Sequence, residues 1–96
     1  MEIEASSNNI VINGNIKSVS DFQHIKQIID SVIANNYKEI NINIIDSLSI
    51  TSSIIGYLNK LVLKDNINIY MNVGNDQLLH LLDDLNLVST FKAKRR

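Results

Sequence analysis

Apolar and polar residues alternate at two different periods along this chain, and the switches between them mark its elements. Residues 1–4 alternate, and so do residues 9–16, where Ile10, Ile12 and Ile16 fall on one side. Period two belongs to a strand with one buried face. Ser6, Ser7 and Asn8 form a polar turn between the two runs, so the spacing predicts an antiparallel hairpin. Gly14 interrupts the second run and marks a bulge or a close backbone approach. Over residues 20–35 the period lengthens, with Phe22, Ile25, Ile28, Ile29, Val32 and Ile33 at helical spacing. Ser20 with Gln23 three residues on has the pattern of a capping box. Asn35 and Asn36 end this helix without glycine, because Asn tolerates left-handed backbone.

The rest of the chain repeats the scheme. Residues 39–45 place Ile40, Ile42 and Ile44 on one face and Asn41 and Asn43 on the other. Residues 67–73 place Ile67, Ile69, Met71 and Val73 opposite Asn68, Tyr70 and Asn72. Strands buried on both faces read as continuous apolar runs; these do not, so the helices are expected on one side of the sheet. Residues 52–64 carry a helical stripe of Ile54, Ile55, Leu58, Leu61 and Val62, with Ser53, Gly56, Tyr57, Lys60 and Lys64 on the outer side. Residues 76–86 carry a third stripe, Leu78, Leu79, Leu81, Leu82 and Leu85, with Asn75 as N-cap. The prediction is an α/β fold: a small mixed sheet of four to five strands in the order β-β-α-β-α-β-α, helices on one face. A short last strand is placed near Phe91.

Composition narrows the class. Ninety-six residues, 45% of them hydrophobic, make one domain with a single small core. That domain is placed at residues 1–92, with 93–96 as a basic, solvated tail. Residues 1–91 hold five basic side chains against all ten acidic ones, a net of −5. An acidic body argues against nucleic-acid binding, which needs a basic face. The absence of Cys excludes disulfides and a cysteine-zinc site. No apolar run has membrane-spanning length, the polar acidic N-terminus is unlike a signal peptide, and a cytoplasmic location is expected.

Catalytic and metal chemistry find little footing. His24 and His80 lack further ligands at metal spacing and read as surface or boundary residues. Asp76, Asp83 and Asp84 do not share a helix face and read as a solvated rim. The glycines are isolated, so no phosphate-cradling loop is formed. Neither Ser52 nor Ser53 has a recognisable base. No enzyme, cofactor or metal is expected. The Asn-rich back face reads as a consequence of the chain's Asn-rich composition rather than as a dedicated contact surface.

Residues 43–58 read Asn-Ile-Ile-Asp-Ser-Leu-Ser-Ile-Thr-Ser-Ser-Ile-Ile-Gly-Tyr-Leu. A strand ends at Asp46 and a helix opens on a Thr-Ser-Ser cluster. This segment resembles the signature of STAS domains (sulfate transporter and anti-sigma factor antagonist), in which a strand ends in Asp or Asn and a helix opens near Asp-Ser-Ser-Gly-Leu-Gly. Asp46 matches the strand-end acid, Ser52 and Ser53 the two serines, and Gly56 the last Gly, while Leu58 continues the apolar stripe. Thr51 stands where the signature has Asp, and Ile54 where it has the first Gly. The order of elements is similar to the family's over most of residues 1–92, including the closing Leu81-Leu82 pair and Phe91.

The resemblance implies a non-enzymatic interaction module, an anti-sigma factor antagonist that binds an anti-sigma or serine-kinase-type partner. Partner contact would fall on Asp46, Thr51, Ser52, Ser53, Gly56, Tyr57 and Lys60. By motif position Ser53 is the regulatory phosphorylation site, with Ser52 second. A phosphoryl group of charge about −1.5 to −2 suits a helix N-terminus. The altered positions 51 and 54 keep an alternative open: a constitutive, unphosphorylated accessory subunit, for example of an ABC-type membrane transporter. From the residues alone, a Thr-Ser-Ser run before an apolar helix also serves as a plain N-cap.

Overall fold

The computed structural model describes all residues from Met1 to Arg96. The elements run β1 (Glu2–Ser6), β2 (Asn9–Asn13), α1 (Val19–Ala34), β3 (Glu39–Ile44), α2 (Ser52–Leu63), β4 (Asn68–Val73), α3 (Asp76–Asp84) and β5 (Lys94–Arg95). They build one five-stranded sheet in the order β1-β2-β3-β4-β5. β1 and β2 form the expected antiparallel hairpin, and β2 through β5 are parallel. The order steps always in one direction. Right-handed crossovers that all step the same way leave every helix on the same face. The fold is a small mixed-sheet α/β domain of the expected order.

The register shows why one face is core. Ile12, Ile44 and Val73 lie in one row, Ile10, Ile42 and Met71 in the next, Ile40 and Ile69 in a third. All are buried, and Ile25, Ile29, Ile54, Leu58, Leu61, Leu78 and Leu82 of the helices join them in one cluster. The other face carries Val11, Asn41, Asn43, Tyr70 and Asn72, all half-buried and covered by no helix.

Local signals set the helix ends. α1 begins two residues earlier than its stripe suggests. Ser18, not Ser20, is the N-cap, and Asp21 completes the capping box in place of Gln23. The Asp21 carboxylate accepts from the Lys17 N–H and from that of Ser18, and together these hold it below its ordinary pKa against the opposing effect of burial. Asn75 caps α3 as expected, its Oδ1 accepting from Leu78 N at 2.8 Å. Each helix is followed by an Asn in left-handed backbone: Asn36 (φ 72°), Asn66 (φ 56°) and Asn86 (φ 58°). Asn thus does at all three exits what glycine more often does. Leu85, expected in the third stripe, is the C-cap of α3 and stays 47% exposed, because the stripe turns away where the helix stops.

The C-terminal segment departs from expectation. Phe91 is fully buried but lies in a turn. The last strand comes after it, where Lys94 and Arg95 pair with Asn72 and Val73. Arg95 Nε donates to Asp76 Oδ1 at 3.0 Å, and Ala93 is buried. Lys94 and Arg95, placed by the sequence in a solvated tail, therefore form the fifth strand and stay exposed. No helix is long and apolar enough to cross a membrane.

Candidate functional site

In a parallel sheet every strand delivers the chain to the next helix at the same edge. Here that edge gathers the loop before α1, the loop of residues 45–51 before α2, and Gly74-Asn75 before α3. Three helix N-termini therefore stand side by side, each with free N–H groups and the positive end of its dipole.

The loops are tied together by a small polar lattice. Asp46 Oδ1 accepts from Gly14 N at 2.6 Å, joining the end of β3 to the segment after β2. Gly14 sits at φ 89°, and a Cβ there would lie 3.1 Å from Met1 Cα, so the hairpin closes over it. Ser47 is fully buried. Its hydroxyl accepts from Ile16 N at 3.0 Å and donates to Ser49 O at 2.7 Å. Its carbonyl accepts from Asn75 Nδ2 at 2.7 Å, which brings the α3 loop in. Asn15 Oδ1 accepts from Leu48 N at 3.2 Å. Gly74 is required for space: a Cβ on it would fall 1.6 Å from the Ile45 carbonyl oxygen. Ser47, Asn15 and Gly74 were not among the residues expected at this site.

On this frame α2 presents its first turns. Thr51 is the N-cap, its Oγ1 accepting from Ile54 N at 3.4 Å. With Thr51 in that role, the exposed Ser52 and Ser53 follow as the first two helical residues. Ile54 is 2% exposed and points into the core, so it does not shield Ser53. Gly56 is exposed, and a Cβ there would meet nothing within 4 Å. Lys60 continues the exposed side one turn on. α1 and α3 each carry a carboxylate in the first turn, Asp21 and Asp76, whereas α2 carries none. Leu48, beside this end of α2, is 48% exposed, and Val19 at the start of α1 is 73% exposed.

Tyr57 is the correction to the expected set. Placed on the outer side by its spacing, it is 9% exposed and turned toward α1. Its hydroxyl donates to Asp30 Oδ1 at 2.5 Å, and its ring packs edge-on against Phe22 at 6.2 Å. Lys26 Nζ bonds the other Asp30 oxygen at 2.8 Å and lies 5.6 Å from the Tyr57 ring centre. Burial, then the hydrogen bond to Asp30 and its charge, push the Tyr57 phenol well above its ordinary pKa. Burial raises Asp30, but the hydrogen bonds from Lys26 and Tyr57 outweigh it and hold the carboxyl below its ordinary value. Tyr57 is a tie between helices, not an exposed anchor.

Of the expected residues, Ser52, Ser53, Gly56 and Lys60 share one open surface. Thr51 is the cap behind it, and Asp46 is exposed at the loop and bonded to Gly14. His24 and His80 are both exposed. The chain holds no cluster of three metal-ligating side chains. Comparison with models of known families, with curated proteins and with solved structures finds no match.

Proposed function

We propose that this domain is a protein-interaction module of the STAS type, resembling an anti-sigma factor antagonist, which docks through the N-terminal end of α2 onto an anti-sigma or serine-kinase-type partner. The observation that carries the reading is the unused outer surface of that helix end. Ser52 and Ser53 are exposed while Thr51 does the capping. Gly56 sits mid-helix with open space around it, although glycine there costs about 1 kcal/mol relative to alanine. Nothing within the chain calls for that glycine, whereas an approaching partner backbone would.

Ser53 is the proposed switch. The first turn of α2 lacks the carboxylate that the other two helices carry, so its dipole is unopposed. A phosphoryl group on Ser53 would be accepted by the helix end and would place about −1.5 to −2 charges in the docking surface. Half-exposed Leu48 at the rim supplies an apolar contact.

Capture from native cell extract with wild type, Ser53→Ala and Ser53→Asp as baits tests the reading. The expected result is one kinase-like or anti-sigma protein held by the first two and released by the third. A transporter complex held equally by all three would replace it with the constitutive accessory-subunit role.

A further inference from the structure

The open face of the sheet has an ordered charge layout. Its side chains form a row across all five strands: Glu4, Val11, Asn43, Asn72 and Lys94, in register from β1 to β5. Glu2 shares this face beside Glu4 on β1. Lys92 reaches onto it from the opposite edge, 4.7 Å above the Tyr70 ring, with Nζ donating to Asn68 Oδ1 at 3.1 Å. One edge is therefore acidic, the other basic, and they stand four strand spacings apart, roughly 19 Å.

Two side chains at the middle of the face already pair. Asn72 Nδ2 donates to Asn43 Oδ1 at 3.1 Å, and Asn43 Nδ2 donates to Ile10 O at 3.3 Å. Covering these two leaves few of their polar atoms orphaned, whereas Asn41 and Tyr70 on the same face bring polar atoms that must be satisfied across the contact.

From this layout we infer that the open sheet face binds a second copy of this chain, face to face. A twofold axis in the contact plane and parallel to the strands lays the β1 edge of each copy over the β5 edge of the other. Both acid–base edges are then satisfied at once, in an isologous contact. An axis perpendicular to the strands would set acid on acid and base on base, so charge selects the first. Packed sheets stand about 10 Å apart, within reach of Glu and Lys side chains from facing edges. Glu39, at the start of the central strand, meets its own copy in this arrangement and opposes it. A face of five short strands covers roughly 400–600 Å² per copy, below the ~800 Å² of a standard interface, which places the dimer in the weak, transient class. The helices lie on the other side, so pairing leaves the α2 surface of both copies free.

Sedimentation velocity on the full chain between about 10 and 500 µM tests it. Wild type is expected to dimerise in about 50 mM salt and to dissociate roughly tenfold more readily in about 500 mM salt. Glu2→Lys with Glu4→Lys, and separately Lys92→Glu with Lys94→Glu, should each weaken self-association at least tenfold. Mixed together, those two variants should form a heterodimer, and all four changes in one chain should restore the homodimer. Glu39→Gln should tighten it. All five positions are exposed, and circular dichroism checks that the variants stay folded. A wild-type monomer at every concentration in low salt overturns the inference. So does association that ignores the charge reversals, or a mixture that fails to pair.

Discussion

Removing one oxygen from Tyr57 separates its role as a helix tie from that of a surface side chain. In Tyr57→Phe the ring keeps its edge-on contact with Phe22, and only the hydrogen bond to Asp30 is lost. A hydrogen bond to a charged group contributes about 1.5–3 kcal/mol. The Asp30 side chain is 48% exposed and keeps Lys26, so water and the lysine recover part of it. The expected loss is about 1 kcal/mol, a fall in Tm of about 4–8 °C for a domain of this size. The pH dependence gives a second handle. Folding raises the Tyr57 pKa, so the phenol's contribution is complete below its unfolded value of about 10 and is lost as pH rises above it. Folding lowers the Asp30 pKa, so its contribution is present above the unfolded value of about 3.9 and is lost as pH falls through the folded one. Urea melts at pH 3, 7 and 10.5 should therefore show the largest gap between wild type and Tyr57→Phe at pH 7. Equal stability at pH 7, or a gap that does not change with pH, would refute the argument that Tyr57 and Asp30 act as a pair.

Three further substitutions probe the loop lattice and the cap. Gly74→Ala places a carbon 1.6 Å from the Ile45 carbonyl, so the β3 and β4 ends must separate; a loss of about 3 kcal/mol or more in chemical denaturation is expected. Ser47→Ala strips partners from the Ile16 N–H and the Ser49 carbonyl in a fully buried position and should destabilise by about 1–3 kcal/mol, with faster amide exchange at Ile16. Thr51→Ala should cost about 0.5–1 kcal/mol through loss of the α2 cap, while Ser52→Ala should be close to neutral in the same melts.

The periods of the sequence located the core strands and all three helices, because each has one buried face and that face repeats at a fixed interval. Asn75 was legible because it is the one capping side chain directly before the α3 stripe, and so was Asn36 at the exit of α1. The remainder depends on tertiary partners that have no period. β5 has two residues and follows a left-handed Lys92, so no alternation announces it. Ser47 is one small residue in a loop, and its burial arises only when the segments around Ile16 and Asn75 converge on it. Tyr57 lies at the margin of the α2 stripe, where spacing alone does not decide its direction; Asp30 and Phe22 of α1 turn it inward. Ser18 and Ser20 are both good caps in isolation, and Asp21 three residues after Ser18 decides between them. At the candidate site, sequence reading found the exposed serines and Gly56, and missed the lattice that holds them in place.

If the first turn of α2 is the proposed docking surface, its acceptance of negative charge is separable from the stability of the fold. The most direct measurement is on Ser53→Asp, with thermal melting and partner capture run side by side. An added carboxylate in the first turn interacts favourably with the helix dipole, by about 0.3–1 kcal/mol. The expected result is a Tm equal to or a few degrees above wild type, together with loss of the captured partner. Undiminished capture by a folded Ser53→Asp variant would contradict the switch, and a marked fall in Tm would contradict the claim that this helix end accommodates the charge.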